Sequence, residues 1–164
     1  MPNAVIDLFC GVGGLTKGLE LANLNVVAGI DINETCKFAY ERNNNAAFIS
    51  ADITTINVND INDMYPNDVT KILVGCAPCQ PFSKYTQRYR KGGHTDNKWR
   101  LLYSFSDIVR QIQPHIVSME NVPELRSENV FQDFVSMLEE LEYNVNWEIV
   151  YCPDYGVPQK RKRL

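Results

Sequence analysis

The chain predicts an open, mostly parallel α/β sheet, and three observations point there. Short apolar runs of strand length alternate with segments whose apolar residues recur at helical spacing. A glycine-rich turn, Asp7-Leu8-Phe9-Cys10-Gly11-Val12-Gly13-Gly14, leads from the first run into the first helical segment. The residues of chemical interest, from Asp7 to Gly14 and then Asp31, Asp52, Cys79 and Glu120, fall where such runs end. In open sheets with right-handed crossovers, ligands sit beyond the carboxyl ends of the strands.

The elements follow in order. Residues 5–9 read as a buried strand, and Leu15, Leu19 and Ala22 as a helical face. Residues 26–30 give a second strand, followed by a helix over 35–42 and a short third strand over 47–49. Residues 55–68 are rich in Asn and Asp with a weak pattern, as expected of a loop with one short helix. Residues 72–74 form the fourth strand. Leu102, Phe105, Val109 and Ile112 mark a helix that stops before Pro114. Residues 116–119 are a fifth strand, and Val130, Phe134, Leu138 and Leu141 a further helix. Residues 143–151 alternate as a sixth strand would. With no internal repeat, low-complexity tract or linker, residues 1–164 read as one domain.

At 164 residues and 45% hydrophobic, the chain can bury a core of one domain's size. No stretch approaches the ~20 apolar residues of a membrane span. The start lacks a basic leader, and Asp7 interrupts its first apolar run, so a cytoplasmic protein is expected. Five scattered cysteines fit reduced thiols better than a disulfide framework. The net charge of -4 argues against nucleic acid, but the distribution reverses that. Lys84, Arg88, Arg90, Lys91, Lys98, Arg100 and the run Lys160, Arg161, Lys162 and Arg163 hold ten of the sixteen basic residues. A charge run is usually a solvated face; both runs here adjoin the candidate chemistry, which favours a phosphate-facing surface.

Glycines in the first turn allow positive φ and close approach of a ligand, and the following helix start favours an anionic group. Gly11 and Gly13 fit a dinucleotide fingerprint, but Thr16 occupies its third glycine position. Asp31, ending the second strand, suits both hydroxyls of a ribose; taken alone it reads first as a cap for the next segment. Asp52 suits an adenine amino group, with Ile53 packing on the ring, or else forms an Asx-turn. Together they describe an adenosyl cofactor with a carboxylate-bearing tail. Cys76 and Cys79 have C-x-x-C spacing, yet no second pair completes a zinc site, and Pro78 and Pro81 enclose Cys79 in an extended loop. No metal is expected. Cys10, Cys36 and Cys76 read as small buried hydrophobes, and Cys79 as the reactive thiol, with the carboxylate of Glu120 ending a neighbouring strand.

The glycine-rich turn, Pro78-Cys79-Gln80, Glu120-Asn121-Val122 and Gln159-Lys160-Arg161-Lys162-Arg163 resemble, in order and spacing, the motifs of cytosine-C5 DNA methyltransferases. The resemblance runs through the whole chain. It implies a Rossmann-like S-adenosylmethionine-dependent methyltransferase sheet, incomplete at the C-terminus. S-adenosylmethionine would be the methyl donor, S-adenosylhomocysteine the product, and a cytosine flipped from double-stranded DNA the acceptor. Cys79 would add to carbon 6, Glu120 would bind N3 and the 4-amino group, and Arg163 would reach O2 with Arg161 supporting. Asn121 would orient its loop, and the Pro78 carbonyl would accept from the amino group. Phe9, Gly11, Gly13, Gly14, Asp31, Ile32, Asp52, Ile53, Pro78 and Leu101 would complete the cofactor site with Asp7. Gln80, Ser83, Lys84, Arg88, Arg90 and Lys91 would face the nucleic acid from a loop that closes over the flipped base. The stretch from Asp96 to Leu101 has Lys98 where the family commonly has arginine, losing the planar fork there.

In the family a further strand, a target-recognition region and a later Asn-containing motif follow the last motif found here. The resemblance therefore implies that this chain alone methylates poorly and is poorly stable or self-associating. A truncated chain, or one half of a split enzyme whose partner chain carries the recognition region, would account for that. Restriction–modification of nucleoid DNA in a microbe or phage is the expected setting. A transfer-RNA cytosine methyltransferase and a non-catalytic subunit of a split methyltransferase are the competing readings.

Overall fold

The structure is a computed structural model and describes residues 1–78 and 99–164. Within them five parallel strands form one sheet in the order β3-β2-β1-β4-β5. The strands are β1 (Asn3–Leu8), β2 (Val26–Asp31), β3 (Ala47–Ser50), β4 (Thr70–Gly75) and β5 (Ile116–Met119). The helices are α1 (Gly14–Leu21), α2 (Lys37–Asn43), α3 (Val58–Asp63), α4 (Arg100–Ile112) and α5 (Asn129–Glu140). The chain runs outward from β1 to β3, then returns to place β4 and β5 on the other side of β1. That reversal beside β1 is the switch point of an open α/β sheet, and the glycine-rich turn leaves β1 there.

The described residues divide into two compact units, Met1–Ala77 with Asp107–Met119, and Pro78–Ser106 with Glu120–Leu164. In the first, the central strands β1, β2 and β4 are buried on both faces, as strands inside parallel sheets are. Val5, Val26, Phe48, Ile72 and Val74 pack in one cluster with Tyr40 of α2 and with Leu15 and Leu19 of α1. Ile6, Leu8 and Leu73 alternate to the other face and are fully buried, each worth about 1.5–3 kcal/mol of transfer free energy. Tyr65 donates its hydroxyl to the Ile72 carbonyl at 2.9 Å, which satisfies a polar group inside this core.

In the second unit Val130, Phe131, Phe134, Met137 and Leu138 form the buried stripe of α5. Phe134 stacks on Phe105 with centroids 5.7 Å apart, and Tyr103 donates to Asp133 at 2.9 Å. Leu125, in a 3-10 turn over Pro123–Ser127, is fully buried.

Three expectations are corrected. The sixth strand shrinks to β6 (Val150–Tyr151), which pairs antiparallel with β7 (Lys162–Arg163) outside the main sheet. Alternation supplies a propensity, but a strand persists only where a neighbour completes its ladder, and only these two residues find one. The buried face of α1 passes through Thr16 rather than Ala22, which is exposed at the helix end. Of the three cysteines expected to be buried, Cys10 is; Cys36 and Cys76 are half-buried.

Candidate active site

The turn after β1 has a backbone that most residues avoid. Phe9, Gly11 and Gly13 have φ of 61°, 51° and 87°, all in the left-handed region. The turn is pinned from both sides: Cys10 N–H donates to the Ile30 carbonyl at 3.2 Å and Gly11 N–H to Asp31 Oδ2 at 2.9 Å. Gly13 N–H closes it on the Cys10 carbonyl at 2.9 Å. The glycines differ in what surrounds them. A Cβ on Gly13 would lie 2.8 Å from Tyr40 Cδ2 and overlap the Asn44 amide, whereas one on Gly11 or Gly14 would meet nothing within 4 Å. Gly13 is needed for packing and for its φ; Gly11 and Gly14 leave an open face.

Asp31 closes the same rim. Its Oδ2 takes the Gly11 N–H and its Oδ1 the Asn33 N–H at 2.8 Å. Each carboxylate oxygen offers two lone pairs, so acceptor capacity remains for a diol. Ile32 beside it is 69% exposed. Asp52 Oδ1 accepts the Thr54 N–H at 2.9 Å, an Asx-turn. The neighbouring Ile53 side chain is buried rather than open. One unit thus holds an exposed apolar side chain, an accepting carboxylate and an open glycine face.

Beneath the turn lies a polar network. Asp7 is 1% exposed, and its Oδ2 accepts from the fully buried Thr16 hydroxyl at 2.7 Å. Thr16 Oγ1 in turn lies 3.0 Å from the Tyr40 hydroxyl, also fully buried. Asp7 Oδ1 has no hydrogen-bond partner among the described residues. Burial pushes the Asp7 carboxyl up to about 6, against the lowering effect of Thr16. Burial likewise pushes the Cys10 thiol up, keeping it protonated and unreactive. The roles of Thr16 and Tyr40 were not anticipated from the sequence, although Thr16 stands where a glycine fingerprint would place its third glycine.

The second unit gathers the other group. Glu120 follows β5 directly in the chain, and its Oε1 pairs with Nε of Arg163. Asn121 and Leu164 exchange two backbone hydrogen bonds at 2.8 and 2.9 Å, fixing the chain on either side of that pair. The Asn121 side chain is 5% exposed, and its Oδ1 accepts the Val122 N–H at 2.9 Å. Arg163 Nη1 also donates to the Lys162 carbonyl at 2.7 Å. Arg161 is exposed, while its carbonyl accepts the Cys152 N–H at 2.8 Å across the β6–β7 hairpin. Leu101 is half-buried on the first turn of α4, and Pro78 is exposed. Cys79, Gln80, Ser83, Lys84, Arg88, Arg90 and Lys91 lie outside the described residues. Among the described residues no three His, Cys, Asp or Glu side chains cluster as metal ligands, and no helix is long and apolar enough to cross a membrane.

The model of the C-5 cytosine-specific DNA methylase family matches residues 3–164. The type II methylase M.HgiDII of Herpetosiphon aurantiacus is 54% identical over 167 residues, which cover 100% of this chain and 46% of that protein. The type II methyltransferase M.SsoII of Shigella sonnei is 35% identical, with 98% of this chain and 41% of that protein covered. The solved structure of Entamoeba histolytica methyltransferase EhMeth matches with a TM-score of 0.76 at 25% identity, over 99% of this chain and 51% of that one. S. pombe Dnmt2 methyltransferase matches in fold, with a TM-score of 0.78 at 22% identity over 99% of this chain and 48% of that one. The chain thus spans about half the length of the proteins it matches. Those proteins hold their further length in the same chain, so they lend no support to a separate partner chain.

Proposed function

Since the chain belongs to the C-5 cytosine-specific DNA methylase family, we propose that its protein methylates carbon 5 of a cytosine flipped out of double-stranded DNA. S-adenosylmethionine would be converted to S-adenosylhomocysteine. The observation that carries this reading is the side-by-side placement of the Glu120 carboxyl and the Arg163 guanidinium. The pairing edge of cytosine presents an acceptor at O2, an acceptor at N3 and a donor at the 4-amino group. A guanidinium donates to O2, and a protonated carboxyl donates to N3 while accepting from the amino group. In this reading the base replaces the ion pair: Arg163 keeps a charge-assisted contact, now to O2, and Glu120 takes up a proton from solvent before it donates to N3.

The other residues take roles that follow from their chemistry. Carbon 5 of cytosine is a poor nucleophile until a group adds at carbon 6; the Cys79 thiolate makes that bond, and protonation at N3 by Glu120 draws the electrons. Bound S-adenosylmethionine supplies an electrophilic methyl group on a sulfonium. Loss of the carbon-5 proton to a base then expels Cys79 and restores the aromatic ring. Asn121 holds the loop after β5 through its bonds to Leu164 and Val122, and Arg161 supports the arginine beyond it. The Pro78 carbonyl accepts from the amino group. Asp7, Phe9, Gly11, Gly13, Gly14, Asp31, Ile32, Asp52, Ile53 and Leu101 form the cofactor site, with Asp31 on the ribose. Gln80, Ser83, Lys84, Arg88, Arg90, Lys91 and the exposed Lys160 and Lys162 hold phosphates and splay the strand. The type II names of M.HgiDII and M.SsoII favour DNA over transfer RNA and suggest a restriction–modification setting.

A duplex carrying 5-fluorocytosine tests the chemistry. Fluorine at carbon 5 leaves no proton to lose, so the adduct at Cys79 cannot collapse. The full-length protein with S-adenosylmethionine should give a denaturation-resistant protein–DNA species, mapped to Cys79 by mass spectrometry. Methylation of ordinary cytosine without any trapped species would sink the covalent route. Methylation of transfer RNA but not of DNA would move the substrate to RNA.

A further inference from the structure

The most constrained polar groups in the first unit have so far been given no role in ligand binding. Thr16 on α1 and Tyr40 on α2 are fully buried, and together they bridge to Asp7 on β1. We propose that Thr16 and Tyr40 are positioning residues: a hydrogen-bonded strut from Tyr40 through Thr16 to Asp7 holds the turn over residues 9–13 in the left-handed shape required for ligand binding. The ligand half of this statement rests on the S-adenosylmethionine reading above; the strut itself does not.

Three features argue for it. First, with Asp7 ionised, the hydrogen-bond order follows. The single Thr16 hydroxyl proton goes to Asp7 Oδ2 at 2.7 Å, so at 3.0 Å the Tyr40 phenol is the donor to Thr16 Oγ1. A chain running toward a carboxylate polarises each bond in turn. Second, the Tyr40 ring fills the space that two glycines leave. A Cβ on Gly13 would lie 2.8 Å from Tyr40 Cδ2, and one on Gly29 would lie 2.5 Å from Tyr40 Cζ. The ring therefore supports the turn from below, at the glycine whose φ is 87°. Third, packing alone would be served by phenylalanine. The ring meets Phe48 edge-on at 5.5 Å, and a fully buried hydroxyl is tolerated only because it is bonded. Asn44, the other buried neighbour of Gly13, donates its amide to the Tyr40 carbonyl at 2.8 Å, which fixes the Asn44 side chain on its own helix.

Tyr40→Phe keeps the ring and removes the phenol; Thr16→Val keeps the shape and removes the hydroxyl; Thr16→Ser restores the hydroxyl. In the ligand-free full-length protein, hydrogen exchange at the Gly11 and Gly13 amides should accelerate about fivefold in Tyr40→Phe and Thr16→Val. It should return toward the parent rate in Thr16→Ser. The Leu73 and Val117 amides in β4 and β5 should keep their rates. Calorimetric binding of S-adenosylhomocysteine should weaken about fivefold in Tyr40→Phe. Unchanged exchange at Gly11 and Gly13 in both variants overturns the strut. Uniform acceleration that includes Leu73 and Val117 also overturns it, because the phenol would then only stabilise the fold. A parent full-length protein that binds no S-adenosylhomocysteine overturns the cofactor reading instead, and the exchange rates still decide the strut.

Discussion

Arg163 pairs through Nε with Glu120 Oε1 at the point where Asn121 and Leu164 exchange two backbone hydrogen bonds. Backbone pairing places the two charges, so their alignment costs little side-chain entropy beyond what the ladder already fixes. The carboxyl is 41% exposed, and such pairs contribute under about 1 kcal/mol to stability. Arg163→Ala should therefore lower the urea unfolding free energy of the chain by less than about 1 kcal/mol. Methylation by the full-length protein should fall at least about a hundredfold, because a buried acceptor on the base loses its donor. Arg163→Lys should restore most of the stability and little of the rate, since it keeps charge without the planar fork. A stability loss in proportion to the rate loss would make Arg163 a structural residue.

The glycines of the turn separate packing from ligand access. Gly13→Ala must displace Tyr40 and Asn44 and hold an L-residue at φ 87°, so it should destabilise the chain by more than about 2 kcal/mol. Gly14 begins α1 with ordinary backbone and open surroundings. Gly14→Ala should leave the melting temperature unchanged or raise it, because alanine favours helix by up to about 1 kcal/mol. The same substitution should weaken S-adenosylhomocysteine binding at least about tenfold if the open face receives the cofactor. Calorimetry and thermal melts on the two variants check both halves. Undiminished binding by Gly14→Ala would remove that glycine from the cofactor site.

Cys79→Ser tests the nucleophile directly. A serine hydroxyl ionises far above neutral pH, whereas a thiol is within reach of it. The variant should lose methylation in the full-length protein and bind S-adenosylhomocysteine as the parent does. Normal turnover would reassign the nucleophile; lost binding would mean that the loop serves the cofactor instead.

The central strands were legible because burial on both faces leaves apolar runs such as Ile72-Leu73-Val74, bounded by polar or glycine residues. The positions of Asp31, at the end of β2, and of Glu120, directly after β5, were legible because each follows such a run. The sixth strand was misread from Tyr143 to Tyr151: side-chain alternation reports amphipathicity, while strand formation depends on a partner that local sequence does not name. The roles of Thr16 and Tyr40 were missed for a related reason. Thr16 looked like a departure from a glycine pattern, and an aromatic on a helix is normally core. Their meaning lies in a contact among β1, α1 and α2 that only the folded chain brings together.

Asp7 should make stability depend on pH in a direction opposite to most carboxylates. Burial raises its folded-state pKa from 3.8 to about 6, so the folded chain holds a proton that the unfolded chain releases earlier. Its favourable contribution is fully present below about pH 4 and is lost as pH rises through about 6. The shift corresponds to about 3 kcal/mol, an order-of-magnitude value set by removing a 1%-exposed carboxyl from water. Asp7→Asn cannot ionise, while its amide oxygen can still accept from Thr16. The variant's stability relative to the parent should therefore improve between about pH 4 and 6.5 and stay level above. Urea unfolding of both chains across that range measures the difference directly. Parallel curves would mean that Asp7 is ionised throughout, and a donor to its Oδ1 would then have to be found.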